Sequence, residues 1–321
     1  METIWGWAPA QPARLERSVS LLHLTGPDTR RFLHGQTSAA IEQAAAGAWV
    51  PTCCIGPTGR MLALVEVLVE EQGAWLVVTA GDGAAVRQSL DRVLFPADQV
   101  TLGPLETALL VSPVDPPGEP AADATPLAWA ELPGGGGWRM GSHILVPLAP
   151  GVPGSCPAEL AQRPRLEPHE QERWRIQQGL PAVPGEINAS TNPFELGLAE
   201  RVSLAKGCYV GQETLAKLAT YDGVKQQLRR WHSAGPLPPA QAPQPGERLV
   251  DPDDPLGGRL GTVTSVLQLP SGDWIGLALV RRQALLAREL RLGDDPQGPR
   301  LQLSVPPTFV PPPVGAGAQA P

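Results

Sequence analysis

Between residues 18 and 94 the spacing of apolar and polar positions changes period repeatedly, and each change marks an element. Residues 18–24 alternate loosely, as a strand does, and Thr25-Gly26-Pro27-Asp28 then supplies a helix start with Pro near the first turn. That helix runs toward Phe32. Residues 49–55 and 61–69 are strand-like runs on either side of Gly56-Pro57-Thr58-Gly59, a turn signal that predicts a hairpin. Glu71-Gln72-Gly73 turns the chain into a strand over 74–79. Residues 84–94 carry Val86, Leu90, Val93 and Leu94 at helical spacing.

The order β-α-β-β-β-α predicts an α+β architecture, an antiparallel sheet layered with helices in the manner of a ferredoxin-like unit. A Pro-rich loop is expected over 113–126 and a hairpin tip at Gly134–Gly137. Residues 167–179 read as a helix with Trp174 and Ile176 as apolar positions and Gly179 as its stop. Five prolines within 235–246 mark a linker, the clearest boundary in the chain. Beyond it, 261–267, 274–280 and 301–305 read as short strands of a small barrel. The domains expected are therefore a core at 14–230 made of two intertwined α+β modules, a barrel at 247–308, and a disordered Pro-, Gly- and Ala-rich tail at 309–321.

Composition narrows the class of protein. With 321 residues there is room for two or three modules, and no apolar run approaches the roughly 20 residues a membrane-spanning helix needs. The first residues lack the basic and apolar regions of a secretory signal, so a cytoplasmic location is expected. A net charge of −7 argues against direct nucleic-acid binding by broad phosphate neutralisation. No glycine-rich dinucleotide or nucleotide-phosphate loop occurs. The five histidines form no HxH or HxxxH pair, so no stable metal site is expected. The four cysteines, at 53, 54, 156 and 208, lack zinc-like spacing and are expected as free thiols, with Cys53 and Cys54 packed inside a strand.

One stretch departs from the rest. Arg outnumbers Lys 22 to 3, yet Lys206, Lys217 and Lys225 fall within twenty residues that contain no Arg and also hold both tyrosines, Tyr209 and Tyr221. An ammonium is a compact charge on a flexible stem, so a Lys retained in an Arg-rich chain marks a place where a planar guanidinium does not serve. Within this stretch Gly207 and Gly211 bracket Cys208 and are expected to turn the backbone so that the sulfur is presented. Lys206 beside the thiol favours thiolate, the nucleophilic and metal-binding form. Gln212 and Glu213 offer an amide and a carboxylate to orient the site, and Tyr209 offers a ring for a ligand to stack on.

The run Lys206-Gly207-Cys208-Tyr209-Val210-Gly211-Gln212-Glu213 resembles the K-G-C-Y-x-G-Q-E signature of the YgfZ-type folate-binding proteins. Phe32-Leu33-His34-Gly35-Gln36-Thr37, Pro57-Thr58-Gly59-Arg60, the 175–181 segment and Gly261-Thr262-Val263-Thr264-Ser265 resemble the family's other landmarks in order, over about residues 14–305. The resemblance implies a GcvT-like, three-part cloverleaf around a central folate pocket, shared with the glycine cleavage T-protein. It implies tetrahydrofolate or a related folate as ligand, with Gln177, Arg175, Arg60 and Tyr209 as binding residues. It further implies a role in assembling or repairing iron–sulfur clusters in client enzymes, tRNA-modifying ones among them, alongside the cluster-assembly machinery.

Three departures from the related patterns bear on function. Thr58 stands where the family commonly has Lys, and Gln177 where T-proteins have a pterin-binding Glu. The Asp pair of the aminomethyltransferases is replaced by Ala63 and Leu64, which removes the acid–base group that methylene transfer uses. Cys208, supported by Lys206, is thus the expected chemical centre, and any iron it meets is held transiently. A folate-dependent aminomethyltransferase and a non-catalytic folate-responsive scaffold are the alternatives.

Overall fold

The strand β1 (Ala13–Thr25) buries both faces: Val19 and Leu21 on one, Leu22 and Leu24 on the other. It is the centre of the first of two units seen in the computed structural model, which describes residues 4–116, 127–148, 156–254 and 257–315. That unit comprises residues 8–167 with Arg201–Gln212. After β1 come α1 (Thr29–Gln36), β2 (Trp49–Ile55), β3 (Met61–Val69), β4 (Gly73–Gly81), α2 (Gly83–Asp91) and β5 (Thr101–Val114). Three short strands, β6 (Trp129–Glu131), β7 (Trp138–Met140) and β8 (His143–Pro147), and a single-turn α3 (Ala158–Ala161) complete it. The part of the expected 113–126 loop from 117 on lies outside the described residues.

The eight strands form one antiparallel sheet in the order β2-β3-β4-β1-β5-β8-β7-β6. Its segment β5-β1-β4-β3, with α1 and α2 crossing over, is the ferredoxin-like order expected from the element sequence. Phe32 and Leu33 of α1 and Val86 and Leu90 of α2 pack with Leu22, Val65, Val67 and Leu76 on one face. On the other face Leu21, Leu68, Val77 and Leu110 lie among the half-buried Trp49, Trp75, Trp129 and Trp138. Burial on both faces explains why β3 is a near-continuous apolar run rather than an alternating one. Cys53 and Cys54 sit in β2 as buried free thiols, as expected, and burial pushes them up to about 11 and about 12.

The second unit contains residues 4–7, Pro168–Glu200 and the chain from 213 onward. Its helices are α4 (Pro168–Gln178) and α5 (Gln212–Thr220), the latter starting at the boundary residue. Six strands follow: β9 (Gln226–Ser233), β10 (Arg248–Val250), β11 (Gly261–Gln268), β12 (Trp274–Arg281), β13 (Glu289–Leu292) and β14 (Arg300–Ser304). They close into a barrel in the order β10-β11-β12-β9-β14-β13 around Trp231, Leu249, Val263, Val280 and Leu301.

Two domain limits differ from the sequence expectation. The barrel starts at Gln226, inside the expected 14–230 core, because β9 pairs with both β12 and β14. The Pro-rich 235–246 segment therefore connects two strands of one barrel instead of separating domains, since proline punctuates a strand connection as readily as a domain boundary. The tail expected to be disordered from 309 is ordered through 315. Gly179 and Gly197, at φ +76° and +75°, leave the space that Pro306 and Phe309 fill, and Val310 donates to the Gly197 carbonyl at 3.0 Å. Residues 316–321 lie outside the described residues.

Candidate functional site

Residues 201–212 belong to the first unit although Pro168–Glu200 of the second lie immediately before them in the chain. They are fixed link by link. Arg201 pairs with the buried Glu66 at 2.9 Å, and Glu66 also accepts from the Trp49 indole at 2.7 Å. The Ser38 hydroxyl donates to the Arg201 carbonyl at 2.6 Å while accepting from the Cys53 amide at 2.9 Å. Ser203 N–H donates to the Ser38 carbonyl at 2.9 Å, and Val210 N–H to the Gly35 carbonyl at 3.1 Å. The Gln212 amide donates back to the Lys206 carbonyl at 3.2 Å, closing the loop on itself.

Lys206 is the buried post of this loop. Its ammonium donates to the carbonyls of Thr37 at 2.6 Å and Ala39 at 2.7 Å and to that of His34. The His34 carbonyl lies in the last turn of α1, where helix geometry leaves acceptors without partners. Burial pushes the ammonium down to about 7, while the three carbonyls and the face of Tyr209, 4.3 Å from Nζ to ring centre, favour its charged form. This use differs from the expected pairing with the thiol. All three Lys206 donors are taken by backbone, and no hydrogen bond joins Lys206 to Cys208 among the described residues. Tyr209 likewise turns out buried and gives its ring to Lys206.

The two bracketing glycines have unequal roles. Gly211 has φ +78°, and a Cβ there would stand 2.6 Å from the Gly56 carbonyl oxygen and 3.1 Å from Gly59 Cα, so the motif presses on the β2–β3 turn. Gly207 faces open space and has no positive φ.

Between these anchors Cys208 is exposed. It opens on a cleft of about 610 Å³, lined also by Arg31, His34, Glu42, Gln43 and Lys206. His34 was legible only as part of a landmark run, and nothing in its spacing marks it as a neighbour of the thiol. Its Nδ1 accepts from the amides of Glu42 at 3.1 Å and Ile41 at 3.3 Å. Burial and then the Lys206 charge hold its imidazole below the ordinary value.

The remaining expected site residues lie elsewhere. Glu213 pairs with Lys217 on the exposed surface of α5 at 2.6 Å, a contact that Arg could also make, and Lys225 is exposed. The Lys enrichment thus has a structural reason at Lys206 alone. Arg60 follows the β2–β3 turn, half-exposed, in the first unit. Arg175 and Gln177 are in α4 of the second unit. Arg175 is bound to Glu172 by two contacts of 2.6 and 2.8 Å, to the Leu180 carbonyl at 2.7 Å and to Ser265 at 2.7 Å, and it pairs with the fully buried Glu186 at 3.4 Å. It therefore holds α4 to the barrel's β11 rather than offering free donors. Gln177 donates to the Trp7 carbonyl at 2.9 Å, and its buried Oε1 has no partner among the described residues. An orphaned acceptor of this kind fits the N–H edge of a pterin. Among the described residues no three His, Cys, Asp or Glu side chains gather as a metal site.

No protein-family model matches the chain. Over 301 residues, 86% of the chain and 67% of the relative, it is 27% identical to an Arabidopsis thaliana chloroplast protein carrying a transferase name. It is 26% identical to the tRNA-modifying protein YgfZ of Cronobacter sakazakii, over 82% of the chain and 84% of the relative. The aminomethyltransferase T of the glycine cleavage system from Bartonella henselae has the same fold, with a TM-score of 0.72 at 18% identity, covering 95% of this chain and 88% of that one. Along most of its length the chain is similar in sequence to the YgfZ proteins, and it has the fold of the glycine cleavage aminomethyltransferase.

The positions read from the sequence as replacing the transferase Asp pair are interior to a strand. Ala63 is fully buried opposite Gly81, and Leu64 is buried opposite Ala80. Thr58 sits exposed at the tip of the turn against which Gly211 packs, so its loss of a cation leaves the motif's support intact. No helix among the described residues is long and apolar enough to cross a membrane.

Proposed function

We propose that this protein is a folate-binding accessory factor for iron–sulfur enzymes, tRNA-modifying ones among them, and that Cys208 is its chemical group. The observation that carries the reading is the contrast inside one short loop: Lys206 and Tyr209 are buried and anchored, while the Cys208 thiol between them is exposed on a cleft. A loop tied down at four points and presenting one soft nucleophile suits brief attachment to a partner group. The YgfZ relatives are named as tRNA-modifying proteins, which supports clients of that kind.

Folate is the expected ligand, and Gln177 Oε1 is the residue atom that would receive it. Bound folate would supply a one-carbon carrier or act as a signal of folate status. The chain's own part is to present an acceptor to the pterin edge. The aminomethyltransferase reading is disfavoured by the buried apolar Ala63 and Leu64 at the positions where that chemistry places carboxylates. A cytoplasmic location goes with the proposal.

The test has two arms. In cells lacking the native gene, wild type should restore the activity of a tRNA-thiolating iron–sulfur enzyme and Cys208→Ala should not; full rescue by Cys208→Ala removes the thiol from the proposal. In a tetrahydrofolate titration, Cys208→Ala should bind like wild type and Gln177→Ala about tenfold more weakly, the scale of one hydrogen bond to a buried partner. Equal binding by Gln177→Ala would place folate elsewhere. Measurable glycine-dependent methylene transfer by the purified protein would restore the transferase reading.

A further inference from the structure

The His34 ring is set in one state by its backbone neighbours. Two N–H groups, of Ile41 and Glu42, converge on Nδ1 at 3.3 and 3.1 Å, so that nitrogen is an acceptor and carries no proton. A neutral imidazole then holds its proton on Nε2, and protonating Nδ1 would set three N–H groups against one another. Nε2 has no protein partner among the described residues, and His34 lines the same cleft as the exposed Cys208. Lys206 cannot take this part, because its donors all point into backbone carbonyls.

The residues lining this cleft of about 610 Å³ therefore include a nucleophilic sulfur, a neutral imidazole donor, the Arg31 guanidinium, the Glu42 carboxylate and the Gln43 amide. Arg31 is 60% exposed and shared between Asp28 and Asp98 at 3.3 and 3.4 Å. It can turn toward a further carboxylate without being released from burial. That volume is in the range of small-molecule sites.

We infer that the cleft takes a low-molecular-weight thiol of amino-acid type, bearing carboxylates and an ammonium, in disulfide exchange with Cys208, and that His34 is the positioning residue that recognises it. The inference rests on the reading of Cys208 as a reactive thiol and names the class of group it meets. Cys208 thiolate attacks one sulfur of a symmetrical disulfide. The S–S bond breaks, a Cys208–S bond forms, and the departing half leaves as a thiolate that takes a proton from solvent, so that Cys208 is oxidised, the departing sulfur is reduced, and the disulfide itself is the oxidant. The His34 Nε2–H donates to a carbonyl or carboxylate of the attached half, Arg31 meets a carboxylate, and Glu42 meets the ammonium.

The experiment compares two probes on the full-length protein in a Cys156→Ser background: glutathione disulfide, rich in acceptors, and cystamine, which has none. The rate of mixed-disulfide formation at Cys208 is read by mass spectrometry, and the ratio of the two rates cancels any change in the reactivity of the sulfur itself. His34→Phe should lower the glutathione-to-cystamine ratio about fivefold, the size of one neutral hydrogen bond, and His34→Gln, which keeps an acceptor and a donor, should hold it within twofold of the parent. An unchanged ratio in His34→Phe, or an equal fall in His34→Gln, overturns the role of His34.

Modification of Cys53 or Cys54 would reveal a variant that has lost its fold. In that event nitrogen-15 spectra of the unsubstituted protein decide: Nε2–H with bare Nδ1 at neutral pH supports the inference, and Nδ1–H or an imidazolium overturns it. If neither probe modifies Cys208, the reading of a reactive thiol fails as well, an outcome distinct from modification without discrimination.

Discussion

The ammonium of Lys206 lies 4.3 Å from the centre of the Tyr209 ring, which closes over it as it reaches the carbonyls beyond the end of α1. Three residues of one signature are thereby given unlike tasks: Lys206 is the anchor, Tyr209 its cover, and Cys208 between them the exposed group. A tripod of N–H donors matches three converging carbonyls, whereas a planar fork does not.

Replacing Lys206 by Met should therefore cost about 2–4 kcal/mol, because the buried carbonyls lose their donor. Lys206→Arg should recover less than half of that. Urea midpoints of the three proteins check it, and full recovery by Arg would show that any cation serves.

Gly211→Ala should destabilise by about 1–3 kcal/mol, since φ +78° and a Cβ 2.6 Å from the Gly56 carbonyl oxygen both oppose a side chain. Gly207→Ala, with open space around its Cα, should stay within about 0.5 kcal/mol of wild type. Thermal unfolding of the pair separates a glycine required by contact from one that merely precedes the thiol.

In the native protein iodoacetamide should label Cys208 first, Cys156 more slowly, and Cys53 and Cys54 only after unfolding, in keeping with their exposed, half-buried and buried positions. Peptide mapping after timed quenching reads the order. Early labelling of Cys53 or Cys54 would contradict the β2 packing.

Stability should fall as pH rises above about 9. Cys53 and Cys54 are held near 11 and 12 in the folded chain against 9.0 when unfolded, so above pH 9 the unfolded state loses protons that the folded state keeps. The contribution is complete below pH 9 and is lost through about pH 11 to 12, at up to about 1.4 kcal/mol per pH unit for each thiol. Cys54→Ala should flatten the slope between pH 9 and 10.5 in urea titrations while lowering stability at pH 7 through the lost volume.

Much of this molecule was readable before any coordinates. Hydrophobic period alone placed β2 and β3 at their observed limits, because a turn as strong as Gly56-Pro57-Thr58-Gly59 bounds both strands locally. The sequence also singled out Cys208 and the residues around it, since rare residue types concentrated there against the chain's own composition. What it could not contain was the use of each side chain. Whether Lys206 meets a thiol or three carbonyls depends on α1, some 170 positions earlier in the chain, and whether a Pro-rich segment divides domains or joins two barrel strands depends on which strand β9 pairs with. Local propensity fixes the elements, but a donor's partner is decided by the acceptors that packing brings within 3 Å. Only the tertiary structure made Cys208 the exposed member of its loop and put His34 on the same cleft.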